Sequence, residues 1–135
     1  MAASDPTAVF GKTNPSPEQR ENMRVQRFGS LIELNPEQEQ YYREIHANVW
    51  PTVVDRIRKS NIRNYSIYVA EISDRKYLFS YFEYIGADVE ADMQAMADDP
   101  ETQRWWKETG PCQIQLPGRR PGANWSEMEM VFFSE

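Results

Sequence analysis

The chain has 135 residues, enough for one folded domain, and carries a formal net charge of −6 at neutral pH. This negative balance argues against nucleic acids and anionic membranes as partners, because both are bound through clustered Lys and Arg. The chain has a single cysteine, so it cannot form an intrachain disulfide. With only one histidine as well, the sequence argues against a metal site.

Residues 1–24 are rich in Pro, Ser, Asn and Glu and poor in apolar side chains. Such a segment buries too little surface to offset the entropy lost on ordering. We therefore predict a flexible N-terminal arm over residues 1–24 and a single folded domain over residues 25–135. Neither a signal peptide nor a run of about 18 apolar residues is visible, which predicts a cytoplasmic protein.

The first predicted elements of the domain are a strand and a long helix. Residues 25–34, "VQRFGSLIEL", alternate as a strand does. Asn35 and Pro36 suit the cap and first position of a helix, and an apolar stripe at spacing four continues from there to Ile57. Pro51 interrupts this stripe and predicts a kink, because proline removes one backbone hydrogen bond.

The later elements begin with a hairpin whose strands cover residues 64–72 and 77–85 and carry aromatic side chains on both faces. Helices are predicted at 87–99 and from Pro100, capped by Asp99, followed by a solvent loop at 111–125 and a strand at 127–133. The order β-α-β-β-α-β predicts a ferredoxin-like α+β domain with two helices on one sheet face. The aromatic second face predicts a homodimer in which two sheets pack face to face.

The only histidine, His46, lies in "YYREIHANVWP" at residues 41–51. Tyr42, His46 and Trp50 recur at spacing four and therefore share a helix face. One interpretation is that His46 is packing material at the edge of the core. The other is that it moves protons for a ligand held by the rings, since its unperturbed pKa is near neutral.

Two further aromatic features are candidates for a binding site. Trp105 and Trp106 are adjacent, and neighbouring helical residues point about 100° apart. Either one ring is core and the other surface, or both form flat walls that suit the C–H faces of a sugar. Tyr65 lies at the start of a strand, and a strand tyrosine is most often part of the core. Cys112 is interpreted as inert because no second histidine is available to activate it.

These segments resemble a known family. "YYREIHANVWP", "NYSIY", "DPETQRWWK" and the closing "MVFF" are similar in order and spacing to the L-rhamnose mutarotase family over about residues 26–135. The resemblance implies a dimeric α+β barrel that interconverts the α and β anomers of a 6-deoxy-L-sugar without cofactor or metal. L-rhamnose is the first candidate for that sugar. It implies His46 as the proton donor, with sugar contacts from Tyr42, Tyr65, Trp105 and Trp106.

The sequence departs from the family pattern at three places, one of which is the long loop at residues 113–125. His46-Ala47-Asn48 stands where the family has His-Asn-Pro, and Met130 stands where an acidic residue usually precedes Val-Phe. Two alternatives stay open: a cofactor-independent monooxygenase on the same kind of barrel, and a sugar-binding protein without catalysis. The first would consume oxygen, and the second would bind sugar without exchanging its anomers.

Overall fold

The architecture comes from a computed structural model that describes residues 7–135. The helices are α1 (Pro17–Glu21), α2 (Glu39–Ala47), α3 (Pro51–Lys59), α4 (Val89–Ala97) and α5 (Pro100–Thr109). The strands are β1 (Gln26–Leu34), β2 (Ile62–Ile72), β3 (Arg75–Tyr84), β4 (Gln113–Ile114) and β5 (Ser126–Met128). Single 3₁₀ turns cover Pro36–Gln38 and Gly110–Cys112.

All of these strands pair antiparallel in one sheet of order β2-β3-β1, and β4 and β5 share the free edge of β1. The predicted hairpin is confirmed as β2 and β3, joined at Ser73 and Asp74. Both joining residues have positive φ, the backbone geometry that a two-residue hairpin loop requires. The predicted ferredoxin-like α+β class is confirmed.

The core lies between the helices and one face of this sheet. Ile32 and Leu34 of β1 and Leu78 of β3 are almost fully buried there, beside Tyr42 of α2 and Cys112. The opposite sheet face, called here the open face, carries a cross-strand row in which Phe79 lies between Leu31 and Tyr68. Tyr68 is 62% exposed, so a large aromatic ring stands on this face in contact with solvent.

The predicted kink at Pro51 is wrong, because the helix breaks completely at this point. α2 ends at Ala47, Asn48 has a φ of −142° and a ψ of 72°, outside helical geometry, and Pro51 occupies the first position of α3. A proline disfavours helical geometry in the preceding residue, and Trp50 accordingly takes a ψ of 132°. The break leaves α2 and α3 as separate rods, so His46 lies in the last turn of its own helix.

The predicted solvent loop and final strand are also corrected. β4, inside the predicted loop, pairs with Glu33 and Leu34. β5 stops at Met128, which lies opposite Gly29. If the antiparallel pairing continued, Val131 would lie opposite Gln26, the first residue of β1. Residues 132 and 133 would then have no residue of β1 to pair with. The free edge of β1 is thus used in two short pieces.

The predicted arm is only partly within the described residues, because residues 1–6 lie outside them. Residues 17–21 form α1, and the backbone N–H of Phe133 donates a hydrogen bond to the carbonyl of Thr13 at 2.6 Å. The flexibility of the arm stays a prediction. Within residues 7–135, no helix has the length and apolar character needed to cross a membrane. The cytoplasmic location stays a prediction as well.

Candidate active site

A cavity of about 230 Å³ opens between the helices and the helix-facing side of the sheet. All five residues singled out from the sequence, which are Tyr42, His46, Tyr65, Trp105 and Trp106, line this one cavity. They come from α2, β2 and α5, three elements far apart in the chain. The remaining walls are Val53, Ile57, Ile67, Met96, Thr102, Thr109, Gly110, Gln113, Asn124 and Trp125.

The ring of His46 is fixed by one hydrogen bond and two aromatic neighbours. Its Nδ1 lies 2.8 Å from the carbonyl oxygen of Tyr42, one turn earlier in α2. A carbonyl can only accept, so Nδ1 carries the proton and donates it. The ring stacks on Tyr42 with centroids 3.9 Å apart and meets Trp105 edge-on at 5.2 Å. Nε2 is therefore the nitrogen left to exchange a proton in the cavity.

Burial lowers the pKa of His46 below its ordinary value, and the hydrogen bond to the Tyr42 carbonyl only partly offsets this. Desolvation disfavours the charged imidazolium, which is the expected direction for a buried histidine. At neutral pH the ring is therefore neutral, with an unprotonated Nε2. Such a group first accepts a proton and can then return it, which suits a general base that becomes a general acid.

The hydroxyl of Tyr42 has no hydrogen-bond partner within residues 7–135, although the side chain is almost fully buried. Leaving a buried hydroxyl unpaired costs about 1–3 kcal/mol. Burial also raises the pKa of Tyr42, and the nearby Gln113 side chain offsets this only in part. The phenol therefore stays protonated and offers a hydrogen bond to whatever enters the cavity.

Tyr65 reaches the cavity because β2 contains a bulge. The pairing register with β3 shifts between Arg63 and Ser66, so Asn64 and Tyr65 together lie opposite Phe82. Asn64 has a φ of +50°, a conformation that asparagine tolerates well. The extra residue turns Tyr65 to the helix-facing side, where its ring lies 5.6 Å from that of Phe82. Bulges commonly redirect a side chain in this way.

Trp105 and Trp106 satisfy both sequence interpretations at once. Trp105 is 7% exposed and Trp106 is 42% exposed, yet both line the cavity. Trp105 is held by the edge of the Trp50 ring, at 5.1 Å between centroids, and the Arg104 guanidinium lies over Trp50. The Trp105 indole thus forms a fixed wall of the cavity, and the Trp106 indole forms its rim.

Among the cavity residues that sequence reasoning missed are two amides and an indole, Gln113, Asn124 and Trp125. All three lie in or beside the segment that was predicted to be a solvent loop. The available signal was the Asn-Trp pair at the end of a Pro- and Gly-rich stretch, since a tryptophan there is unusual for a solvated turn. Trp125 packs against the core and brings this end of the loop back to the cavity.

No group of three or more His, Cys, Asp or Glu side chains able to hold a metal ion occurs within residues 7–135. The cavity walls named above include neither a carboxylate nor an ammonium or guanidinium group. Apart from His46, its polar groups are hydroxyls, amides and indoles. Such a lining favours a neutral ligand over a phosphate or carboxylate.

The chain is similar to proteins of one family. A family model described as L-rhamnose mutarotase matches residues 27–134. An L-rhamnose mutarotase of Listeria monocytogenes is 26% identical over 109 residues, covering 81% of this chain and 98% of the relative. That of Bacillus subtilis is 29% identical over 87 residues, covering 64% of this chain and 79% of the relative.

A solved structure supports the fold. The crystal structure of an L-rhamnose mutarotase from Formosa agariphila superposes with a TM-score of 0.60 at 23% identity, covering 82% of this chain and 99% of the other. Identity this low speaks for the fold alone. The match of the family model over most of the domain carries the assignment: the chain belongs to the L-rhamnose mutarotase family and is an isomerase of the sugar mutarotase type.

Proposed function

We propose that this protein interconverts the α and β anomers of a 6-deoxy-L-sugar, with L-rhamnose as the first candidate, by acid–base catalysis at His46. The observation that carries the proposal is the pairing of a neutral His46, free at Nε2, with an unpartnered Tyr42 hydroxyl in one uncharged cavity. The names of the relatives agree with this substrate.

The size and lining of the cavity suit a single monosaccharide. Its volume of about 230 Å³ lies below the range of about 300–1,000 Å³ that is usual for pockets of drug-sized ligands. Indole and phenol rings match the apolar faces of a pyranose, while amides and hydroxyls match its polar edge. A 6-deoxy sugar adds a methyl group, for which Val53, Ile57 and Met96 offer apolar walls.

The proposed reaction needs only proton transfers. Nε2 of His46 takes the proton of the anomeric hydroxyl, the bond between the anomeric carbon and the ring oxygen breaks, and the protonated His46 gives that proton to the ring oxygen. The product is the open-chain aldehyde. Rotation about the bond beside the aldehyde carbon presents its other face, and the reverse steps close the ring as the opposite anomer. No atom is gained or lost and no redox step occurs.

Tyr42 and Tyr65 act in this proposal as hydrogen-bond donors. Burial raises the pKa of each, so both phenols keep their protons throughout the neutral range. Each can hold a sugar hydroxyl or the developing charge on an oxygen, as donors aimed at a reacting atom do. Trp105 and Trp106 orient the ring so that its anomeric edge meets His46.

The test is proton NMR saturation transfer between the two anomeric signals of L-rhamnose. Wild-type protein should accelerate the exchange, and His46→Gln should reduce the catalysed rate by roughly 10²-fold or more, the usual worth of one acid–base group. Gln40→Leu, on the exposed side of α2, is a matched control that should exchange normally. Normal exchange by a folded His46→Gln variant would contradict the assignment of His46.

The same experiment separates the alternatives. A sugar-binding protein without catalysis would bind L-rhamnose and leave the exchange rate at its spontaneous value. A monooxygenase would consume oxygen and form a product of new mass. Either result with wild-type protein would contradict the proposed mutarotase reaction.

We also infer a homodimer in which two open faces pack together. A row of Leu31, Phe79 and Tyr68 crosses this face, and Val131 and Phe132 near the C-terminus are 75% and 61% exposed. Exposed apolar surface of this extent beside a sheet typically marks an interaction site. A second copy is the simplest occupant, because a twofold axis brings the same apolar row against itself.

A further inference from the structure

The cavity contains two amide side chains, Gln113 and Asn124, to which the proposed reaction assigns no role. We propose that these two amides bind the non-reacting hydroxyls of the sugar and determine which stereoisomer the enzyme accepts. This inference rests on the proposed function, since it concerns the substrate of the same site.

Gln113 is held by backbone pairing rather than by its side chain. It begins β4, opposite Leu34, and follows the fully buried Cys112. Its side-chain amide lies close enough to the Tyr42 hydroxyl to offset part of the rise in the pKa of that phenol. Two neighbouring polar groups therefore face one cavity. A hydroxyl placed between them would satisfy both.

Asn124 is oriented by a neighbour. The side-chain amide of Gln115 donates to Oδ1 of Asn124 at 2.9 Å, which directs the other end of that amide, Nδ2, away from Gln115. Nδ2 makes no protein hydrogen bond within the described residues. Asn124 is therefore an exposed amide on the wall of the cavity, and the Gln115 bond leaves its donor end available.

The loop behind Asn124 is closed by its own contacts. Arg119 donates from Nε to the carbonyl of Ala123 at 2.9 Å and from its guanidinium to the carbonyl of Leu116 at 3.3 Å. Gly118 and Gly122 take positive φ values that let the chain turn twice within this span. A loop fixed in this way presents Asn124 without a large ordering cost when the ligand binds.

Amides are suited to a discrimination that the indole and aliphatic walls of the cavity cannot make. Indole and aliphatic walls contact the C–H surface of a sugar and sense its shape, not the direction of each hydroxyl. An amide fixed in place donates to a hydroxyl on one side of the ring and is left unpaired when an epimer carries that hydroxyl on the other side. Sites that hydrogen-bond a substrate group discriminate strongly against analogues that cannot make the bond.

The test compares sugars that differ only in hydroxyl direction. Catalysed anomer exchange is measured with L-rhamnose, its epimer 6-deoxy-L-glucose, and L-fucose, for wild type, Gln113→Leu and Asn124→Ala. Each variant should raise KM for the preferred sugar by roughly 3- to 10-fold, as the loss of one neutral hydrogen bond implies, with a smaller change in kcat. The preference over the other sugars should fall by a similar factor.

A matched control and a positioning variant complete the design. Gln94→Leu removes an exposed amide of α4 outside the cavity and should leave KM and preference unchanged. Gln115→Ala leaves the cavity walls intact but frees Asn124, so it should reduce the preference with little effect on melting temperature. This readout separates orientation of the amide from a general loss of stability.

The possible failures are distinct. If wild type exchanges L-rhamnose and both cavity variants keep its KM and its sugar preference within about twofold, the assignment of the two amides is wrong while the proposed function stands. If wild type accelerates exchange of none of the three sugars, the proposed function is wrong, and this inference falls with it.

Discussion

At the scale of single residues, we expect the protonation state of His46 to make the activity depend on pH. Burial lowers the pKa of this ring, and the proposed reaction begins with its neutral form. We therefore expect kcat/KM for anomer exchange to stay level through neutral pH and to fall in acid, with a midpoint below the ordinary histidine pKa of about 6.5. Burial raises the pKa values of Tyr42 and Tyr65, so no alkaline loss is expected near neutrality. An acidic midpoint above 6.5 would contradict a buried His46 as the base.

The same shift predicts a dependence of stability on pH. Below about pH 6.5 the unfolded chain binds a proton at His46 before the folded chain does, so the free energy of unfolding falls as pH drops toward the lowered folded pKa. Above pH 6.5 this contribution is complete and constant. Denaturant unfolding of wild type and His46→Gln at pH 7.5 and 5 measures it: wild type should lose more stability than the variant. Equal losses would show that His46 titrates normally in the fold.

The sequence indicated the helical residues of the candidate site and, by resemblance, Tyr65, but it missed Gln113 and Asn124 for a physical reason. Spacing along one helix places Tyr42 and His46 on a common face whatever the tertiary structure does, and the Trp105–Trp106 pair is equally local. Gln113 and Asn124 reach the cavity only because β4 and Trp125 return the chain to the edge of β1 and to the core. No short-range pattern encodes that return.

At the scale of elements, the bulge in β2 determines which side of the sheet Tyr65 faces. Asn64 holds the extra residue with its φ of +50°, and its side chain donates to Glu83 at 2.8 Å. Asn64→Gly removes the side chain but keeps the backbone freedom, so we expect near-normal exchange. Asn64→Val also removes the hydrogen bond but resists positive φ, and should cost about 1–2 kcal/mol of stability and much of the activity. Denaturant unfolding gives the stability of the two variants, and NMR gives their rates of anomer exchange. Equal stability and equal exchange rates in the two variants would exclude a role for the bulge.

Element types were more predictable than element limits. The order of strands and helices follows from alternation, caps and prolines, each of which is local. The break at Asn48, the extra strand β4, the early end of β5 and the bulge depend on how much edge β1 offers and on what packs against α2. These are tertiary constraints, and a one-residue change of register at Tyr65 reverses the face of a side chain without leaving a strong mark in the sequence.

At the scale of the whole molecule, we expect the N-terminal segment to lie outside the catalytic unit. The cavity walls begin at Tyr42, and the match to the family model begins at residue 27. We expect a chain lacking residues 1–24 to retain anomer exchange within about twofold of the full chain, as for a terminal segment that contributes little to the core. Its melting temperature should fall only slightly, because the hydrogen bond from Phe133 to Thr13 is lost. A large loss of exchange would show that the segment supports the site.

The open face gives the last prediction. A stable interface buries about 1,200–2,000 Å² in total, and the apolar row through Tyr68 and Phe79 lies within the surface that two such sheets would cover. Wild type should therefore sediment as a dimer at micromolar concentration. Tyr68→Asp would bury two unpaired carboxylates at the twofold interface and should yield a folded monomer. Val54→Asp alters a similarly exposed apolar side chain on α3, away from the sheet, and should stay dimeric. A monomeric wild type, or a Tyr68→Asp variant as dimeric as the Val54→Asp control, would mean that something other than a second open face covers these aromatics.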